Sequence, residues 1–182
     1  ETFKAPEKTG EGDNKKWVPI TEWWNASASN TFDNPNSMFS GDLSVLSPRT
    51  QSGDGNIWFP SGGDYSLSIG NIDLKGAAKV SLIYKMGVNV YQSADKQNIN
   101  TLSVKCNNTD LSVPDKELTG TQNPYVVEEI RIDDIAVSGT ATLTFSCAGA
   151  TNVKGIRLYD VKLIAPGSGE GGGEVIKPEP TK

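Results

Sequence analysis

The sequence predicts an all-β domain, a two-sheet antiparallel β-sandwich with little or no helix. Three observations predict it. Apolar residues recur at every second position over several separate runs, the pattern of strands with one buried face. Clusters of Gly, Pro, Asn and Asp break these runs at short intervals, as turns do. No window sustains an apolar period of 3.6 residues, so helix is expected to be nearly absent.

Residues 1–65 alternate only weakly and hold Trp17, Trp23 and Trp24, three of the four tryptophans. In an extended segment Trp23 and Trp24 point to opposite sides, one into the core and the other at least partly to solvent. Regular alternation follows. Tyr65, Leu67 and Ile69 form one inward series, Ala78, Val80, Leu82, Tyr84 and Met86 the next. Leu102, Val104 and Cys106, then Val126, Ile130 and Ile132, then Ala141, Leu143, Phe145 and Cys147, continue it. Turns are expected at Asn34-Pro35, Gly53-Asp-Gly-Asn56, Pro60–Asp64, Val113-Pro-Asp115 and Asn123-Pro124.

The last run changes phase: Ile156 and Leu158 share one parity, Val161 and Leu163 the other. A β-bulge near Tyr159–Asp160 accounts for this and re-aims Asp160; coverage of both faces is the alternative. The domain is expected to span residues 1–165. Residues 166–182 read as a flexible Gly/Pro-rich linker, too poor in apolar surface to offset its ordering entropy.

Composition narrows the chemistry. With 182 residues and a net charge of -5, the chain has no Lys/Arg cluster, which argues against nucleic acid or anionic membrane as partner. It contains no histidine, which excludes a Ser-His-Asp or Cys-His centre within the chain. The sequence lacks an initial Met, a signal peptide and any run of 18 apolar residues, and is read as a mature or trimmed piece.

The order of features resembles a known family. Glu1-Thr-Phe3 is followed by Trp17, Phe39-Ser-Gly-Asp42, Ser47-Pro-Arg49 and Gly55-Asn-Ile-Trp58. Ile72-Asp-Leu74, Val80–Tyr84 and the closing Gly155–Leu163 complete it. Over residues 1–165 this resembles the carbohydrate-binding-module-like (galactose-binding-like) jelly-roll domains of cell-surface proteins of Gram-negative gut bacteria. The resemblance implies jelly-roll topology, a non-catalytic role, a glycan or polysaccharide held on a loop rim or sheet face, and an extracellular or cell-surface location. It implies a monomer tethered to further domains. It also implies a structural calcium near paired first and last strands, where Glu1 and Asp160 match the family's acidic positions. Ca²⁺ takes six to eight oxygens, and Asp42 or Asp33 is the candidate third ligand. Solvated or ion-paired surface acids are the plain alternative.

Aromatic platforms are the other candidates, because sugars stack their C–H faces on flat rings while polar side chains bind the hydroxyls. Trp58, after a Gly/Asp loop and before Phe59-Pro60, is the first choice and is expected on a loop rim. Trp24 beside Asn25, and Tyr91 beside Gln92, follow; ordinary core packing competes for each. A hydrolytic carboxylate pair is the enzymatic alternative. Glu129 and Asp133 lie four residues apart on one strand face, about 13 Å, with Arg131 between them, which favours an ion-paired outer face. Cys106 and Cys147 are either bridged or two buried thiols. A glycan-binding module is therefore the leading expectation, with a ligand-free structural or adhesive spacer second and a glycoside hydrolase third.

Overall fold

The computed structural model describes residues 1–4, 6–50, 54–90, 92–120 and 125–166, residue 125 in its main chain only. Gly53, Tyr91, the Asn123-Pro124 turn and the expected linker beyond Pro166 lie outside them.

The strands, in chain order, are β1 (Phe39–Gly41), β2 (Ser47–Arg49), β3 (Asn56–Phe59), β4 (Tyr65–Asp73), β5 (Lys79–Asn89) and β6 (Lys96–Asn98). They continue with β7 (Leu102–Cys106), β8 (Thr109–Asp110), β9 (Glu117–Thr119), β10 (Tyr125–Ala136), β11 (Thr140–Cys147) and β12 (Ile156–Ile164). One five-stranded sheet runs β1-β4-β11-β7-β8, the second β10-β5-β12-β3-β2, and β6 pairs with β9 at the side. All pairings are antiparallel. The chain crosses between the two main sheets at β3–β4–β5 and again at β10–β11–β12, as expected of a jelly-roll sandwich.

Alternation explains the layers. Leu67 and Ile69 of β4, Val80, Leu82, Tyr84 and Met86 of β5, Leu143 and Phe145 of β11, and Leu102 and Val104 of β7 all point into one core. Tyr84 and Phe145, from opposite sheets, meet edge to face at 5.4 Å. Ala78 departs from its predicted series; it precedes β5 and is exposed.

The phase slip in the last strand is a bulge. The β12–β5 register shifts between Tyr159 and Lys162, and Asp160 sits at φ 51°. Shifts also occur at Ile132/Ile135 of β10 and Ala141/Leu143 of β11, where Asp134 (φ 58°) and the facing Asn71 of β4 (φ 54°) are left-handed. Each irregularity thus carries an Asp or Asn, whose short side chains tolerate that conformation.

Trp23 and Trp24 correct the extended-chain expectation. They lie on a seven-residue helix, α1 (Ile20–Ala26), opened by Pro19. Ile20, Trp23 and Trp24 occupy positions i, i+3 and i+4, so both rings lean to one side and meet Phe32, at 5.2 and 5.7 Å. The signal was local: a Pro just before a short amphipathic turn, in a window too brief for a period to show.

Candidate binding face

On the outer face of the second sheet, register aligns Val127 of β10, Gly87 of β5, Arg157 of β12, Trp58 of β3 and Ser47 of β2 in one row. Their neighbours Ile57, Phe59, Ile156, Leu158, Met86 and Val88 face the core, so strand alternation sends this row the other way. Trp58 is therefore a mid-sheet residue, not the loop-rim residue expected; β3 begins at Asn56 and fixes its parity.

Two glycines shape the row. The Trp58 ring lies over Gly155, where a Cβ would come 2.0 Å from ring carbon Cη2, and Gly155 has φ +76°. Tyr159 lies over Gly87, where a Cβ would meet ring carbon Cε2 at 3.1 Å. Arg157 sits between these rings, only 2 % exposed although it points away from the core. Its guanidinium carbon is 4.4 Å from the Trp58 ring centre, and it donates to Asn89 Oδ1. Arg49 approaches the same ring at 5.3 Å and is held by an Nε hydrogen bond of 2.8 Å to Ser47 Oγ. Burial, then the charge of Arg157, lowers the Arg49 pKa to about 10, so the Arg49 guanidinium remains charged at neutral pH.

The β11–β12 loop carries this arrangement. Asn152, fully buried, donates from Nδ2 to Pro60 O (2.9 Å) and accepts at Oδ1 from Gly155 N (2.9 Å) and Gln97 Nε2 (3.3 Å). Lys154 donates its backbone N–H to Gln97 Oε1 and pairs with Asp95 at 2.5 Å. The loop holding Gln92 is thereby tied to the start of β12, since Gln92 N donates to Asp95 Oδ2. Gln92 is exposed at this end of the sheet, and Tyr91 lies outside the described residues. Trp24 is elsewhere: its ring packs on Phe32 and Phe39, at 5.7 and 6.0 Å, and is partly buried against the core around α1, whereas Trp23 is buried, as expected of one of the pair.

The acidic candidates disperse. Glu1 pairs its main chain with Val161, so the start of the chain does meet the last strand. Its carboxylate, however, accepts from Phe3 N, Asp33 N, Asn34 N and Asn34 Nδ2 at 2.8 to 3.2 Å. Desolvation raises its pKa above the ordinary 4.5, against the lowering effect of the terminal ammonium and the N–H donors. Asp33 is turned to Thr2, Asp160 pairs with Lys85 and Lys162, and Asp42 accepts from Ser66 N. A Ca²⁺ ion needs converging oxygens, whereas donors converge on Glu1. Among the described residues no group of three or more such ligands assembles, and this set does not suit the ion.

Asp133 accepts from Ser81 Oγ at 2.5 Å and pairs with Arg131 at 2.8 Å. The Ser81 hydrogen bond, then Arg131, holds its carboxyl below 3.8, opposite to the raised value that an acid catalyst requires. Cys106 faces Leu143 and Cys147 faces Leu102 on the paired β7 and β11. Four register positions, about 13 Å, separate two thiols that a disulfide must bring within a few ångströms; both are free and buried.

Sequence reasoning had no role for Arg49 or Arg157 at the site. The signal at Arg157 was one charge inside Gly155–Leu158, where every neighbour is apolar or Gly; Arg49 offered none.

No protein-family model and no curated protein matches the sequence. Solved structures with a similar fold include a family 35 carbohydrate-binding module from Paenibacillus barcinonensis, 15% identical, covering 71% of this chain and 94% of that one, TM-score 0.45. A family 6 module from Clostridium cellulolyticum, solved with xylose, is 12% identical over 80% of this chain and 95% of that one, TM-score 0.43. A xylan-binding family 22 module from Paenibacillus barcinonensis is 9% identical over 97% of this chain and 99% of that one, TM-score 0.42. These similarities concern the fold.

Proposed function

We propose that this domain is a non-catalytic glycan-binding module of a secreted or cell-surface protein, and that Trp58 marks its binding face. The observation that carries the reading is a half-buried indole on an outward sheet face, fixed by Gly155 and flanked by the guanidiniums of Arg49 and Arg157. A flat apolar ring beside fixed N–H donors is the chemistry that recognises a sugar, whose C–H face stacks while its hydroxyls are hydrogen-bonded. The buried network of Asn152 and Gln97 supports it by holding the site before a ligand arrives, which lowers the entropy lost on binding.

A glycan array followed by calorimetric titration tests the reading. Binding of at least one polysaccharide is expected, with Trp58→Ala weakening it about tenfold or more, the loss of a stacked ring at roughly 1.4 kcal/mol per decade. Failure of the folded protein to bind any member of a broad host and plant panel would overturn it. The second reading, a structural spacer, is favoured by one fact: Arg157 and Tyr159 are buried although they point outward. It predicts that Trp58→Ala alters stability alone.

A further inference from the structure

We infer that the face formed by Arg49, Trp58 and Arg157 selects glycans that carry an anionic group, a uronate carboxylate or a sulfate. The inference rests on the glycan-binding reading and names the class of sugar. Two guanidiniums contact one indole in a chain whose net charge is -5. Bringing like charges together and partly removing them from water is unfavourable. Each cation–π contact returns little at a partly solvated site, and a single arginine suffices to orient a tryptophan. A negative charge beside the two guanidiniums is therefore favourable, and Arg49 is the partly exposed member of the pair that can receive one.

The protein does not supply that charge to Arg49. Its Nε binds Ser47, and among the described residues its two terminal NH₂ groups make no hydrogen bond and no carboxylate lies within ion-pair reach. Elsewhere on this sheet, Asp160 is engaged with Lys85 and Lys162, and Asp133 with Ser81 and Arg131. The depressed pKa of Arg49 agrees, since the charge of Arg157 is one of its causes and an added anion would relieve it. A planar fork with its outer donors unengaged accepts an oxyanion in bidentate fashion, which a neutral hydroxyl cannot match. Arg157, being buried, acts by its field and by holding Trp58 rather than by touching the ligand.

The test titrates the whole chain with oligosaccharides of matched length, one uronate-bearing (oligogalacturonate), one sulfated (chondroitin sulfate) and one neutral (galactan), at 50 and 300 mM NaCl. At least one anionic ligand is expected to bind tenfold or more tightly than the neutral one, with affinity falling at the higher salt. Arg49→Gln is expected to lose about tenfold on the anionic ligand and distinctly less on the neutral one, because a charge-assisted contact is lost in the first case and an ordinary hydroxyl contact in the second. Arg49→Lys should recover part of the loss, because it restores charge without the fork. Near-ultraviolet circular dichroism and melting confirm that both variants fold. The uronate and sulfate arms identify the source of the charge. Equal binding of neutral and anionic ligands, or anionic binding unchanged in Arg49→Gln, overturns the inference and leaves glycan binding standing. Binding to none of the three, nor to any glycan of the broad panel, removes both.

Discussion

Glu1 and Val161 exchange two backbone hydrogen bonds, 2.7 Å from Glu1 N to Val161 O and 2.9 Å from Val161 N to Glu1 O. The bulge in β12 makes this possible. At Asp160 the strand turns left-handed, β12 leaves register with β5, and Val161 is freed to pair with the first residue of the chain. The start of the domain is thus stitched to its last strand by one irregular position.

Substitutions at Asp160 separate backbone from charge. Asp160→Gly and Asp160→Asn are expected to stay within about 1 kcal/mol of the parent, because both residues accept φ 51° and the partly exposed pairs with Lys85 and Lys162 contribute little. Asp160→Val places a β-branched side chain at positive φ and is expected to cost about 1–3 kcal/mol. Urea denaturation measures all three. Equal costs for Asn and Val would mean that the charge, not the backbone, holds the bulge.

The Glu1 carboxyl makes the same junction sensitive to pH. Desolvation raises its folded pKa above 4.5, so its contribution is complete below 4.5 and is lost as pH rises through the folded value. The stability of the parent relative to Glu1→Gln should therefore decline from pH 4 upward and then level off. Asp33 shifts the other way, as Thr2 hydrogen bonds outweigh its desolvation, and its contribution is lost only below 3.8, outside this window. A parent-minus-variant difference that grows with pH would contradict the assignment.

Asn152 carries the end of the sandwich beneath the candidate binding face. Asn152→Ala leaves the Pro60 carbonyl, the Gly155 N–H and the Gln97 amide without their buried partner, and is expected to cost about 2–4 kcal/mol. Asn152→Asp removes the donor to Pro60 as well and should recover part of its loss on acidification. A cost under 0.5 kcal/mol in chemical denaturation, below the order of a single buried hydrogen bond, would show that the loop does not depend on this side chain.

Much of the fold was legible because a period of two is written directly into residues such as Ala141, Leu143, Phe145 and Cys147, and even the bulge surfaced as a change of parity around Tyr159. Helix α1 was not, since two turns cannot display a period that needs three or four. The candidate binding face was only half legible. Trp58 stood out by chemistry, yet its partners Arg49 and Arg157 meet it through the sheet pairings β2–β3 and β3–β12, and no local pattern encodes which strands become neighbours. The same holds for the cysteines: each lies on an inward face, but only the register reveals that they oppose leucines rather than each other.

That register has a chemical consequence. Cys106 and Cys147 should both titrate as free thiols in denaturant and react slowly in the native protein, since burial raises both thiols above 9.0 and covers them. The melting temperature is expected to be the same with and without dithiothreitol. A mass two daltons lower than the reduced chain, or a melting point that falls on reduction, would require a different β7–β11 pairing.

Gly155 ties the stability of the fold to the position of Trp58 on the candidate face. An alanine there meets two obstacles at once: its Cβ would lie 2.0 Å from the Trp58 ring, and its φ of +76° is unfavourable for any side chain. Gly155→Ala is therefore expected to destabilise by at least about 1–2 kcal/mol, to displace the indole and to change its fluorescence. Gly87→Ala provides the contrast, since its backbone is not left-handed and its Cβ would press on Tyr159 at 3.1 Å, a contact that a few tenths of an ångström relieves. If Trp58 is the platform for sugar, Gly155→Ala lowers glycan affinity more than its loss of stability explains, whereas Gly87→Ala changes affinity little. Equal affinity in Gly155→Ala and the parent, with the indole visibly moved, would detach Trp58 from binding altogether.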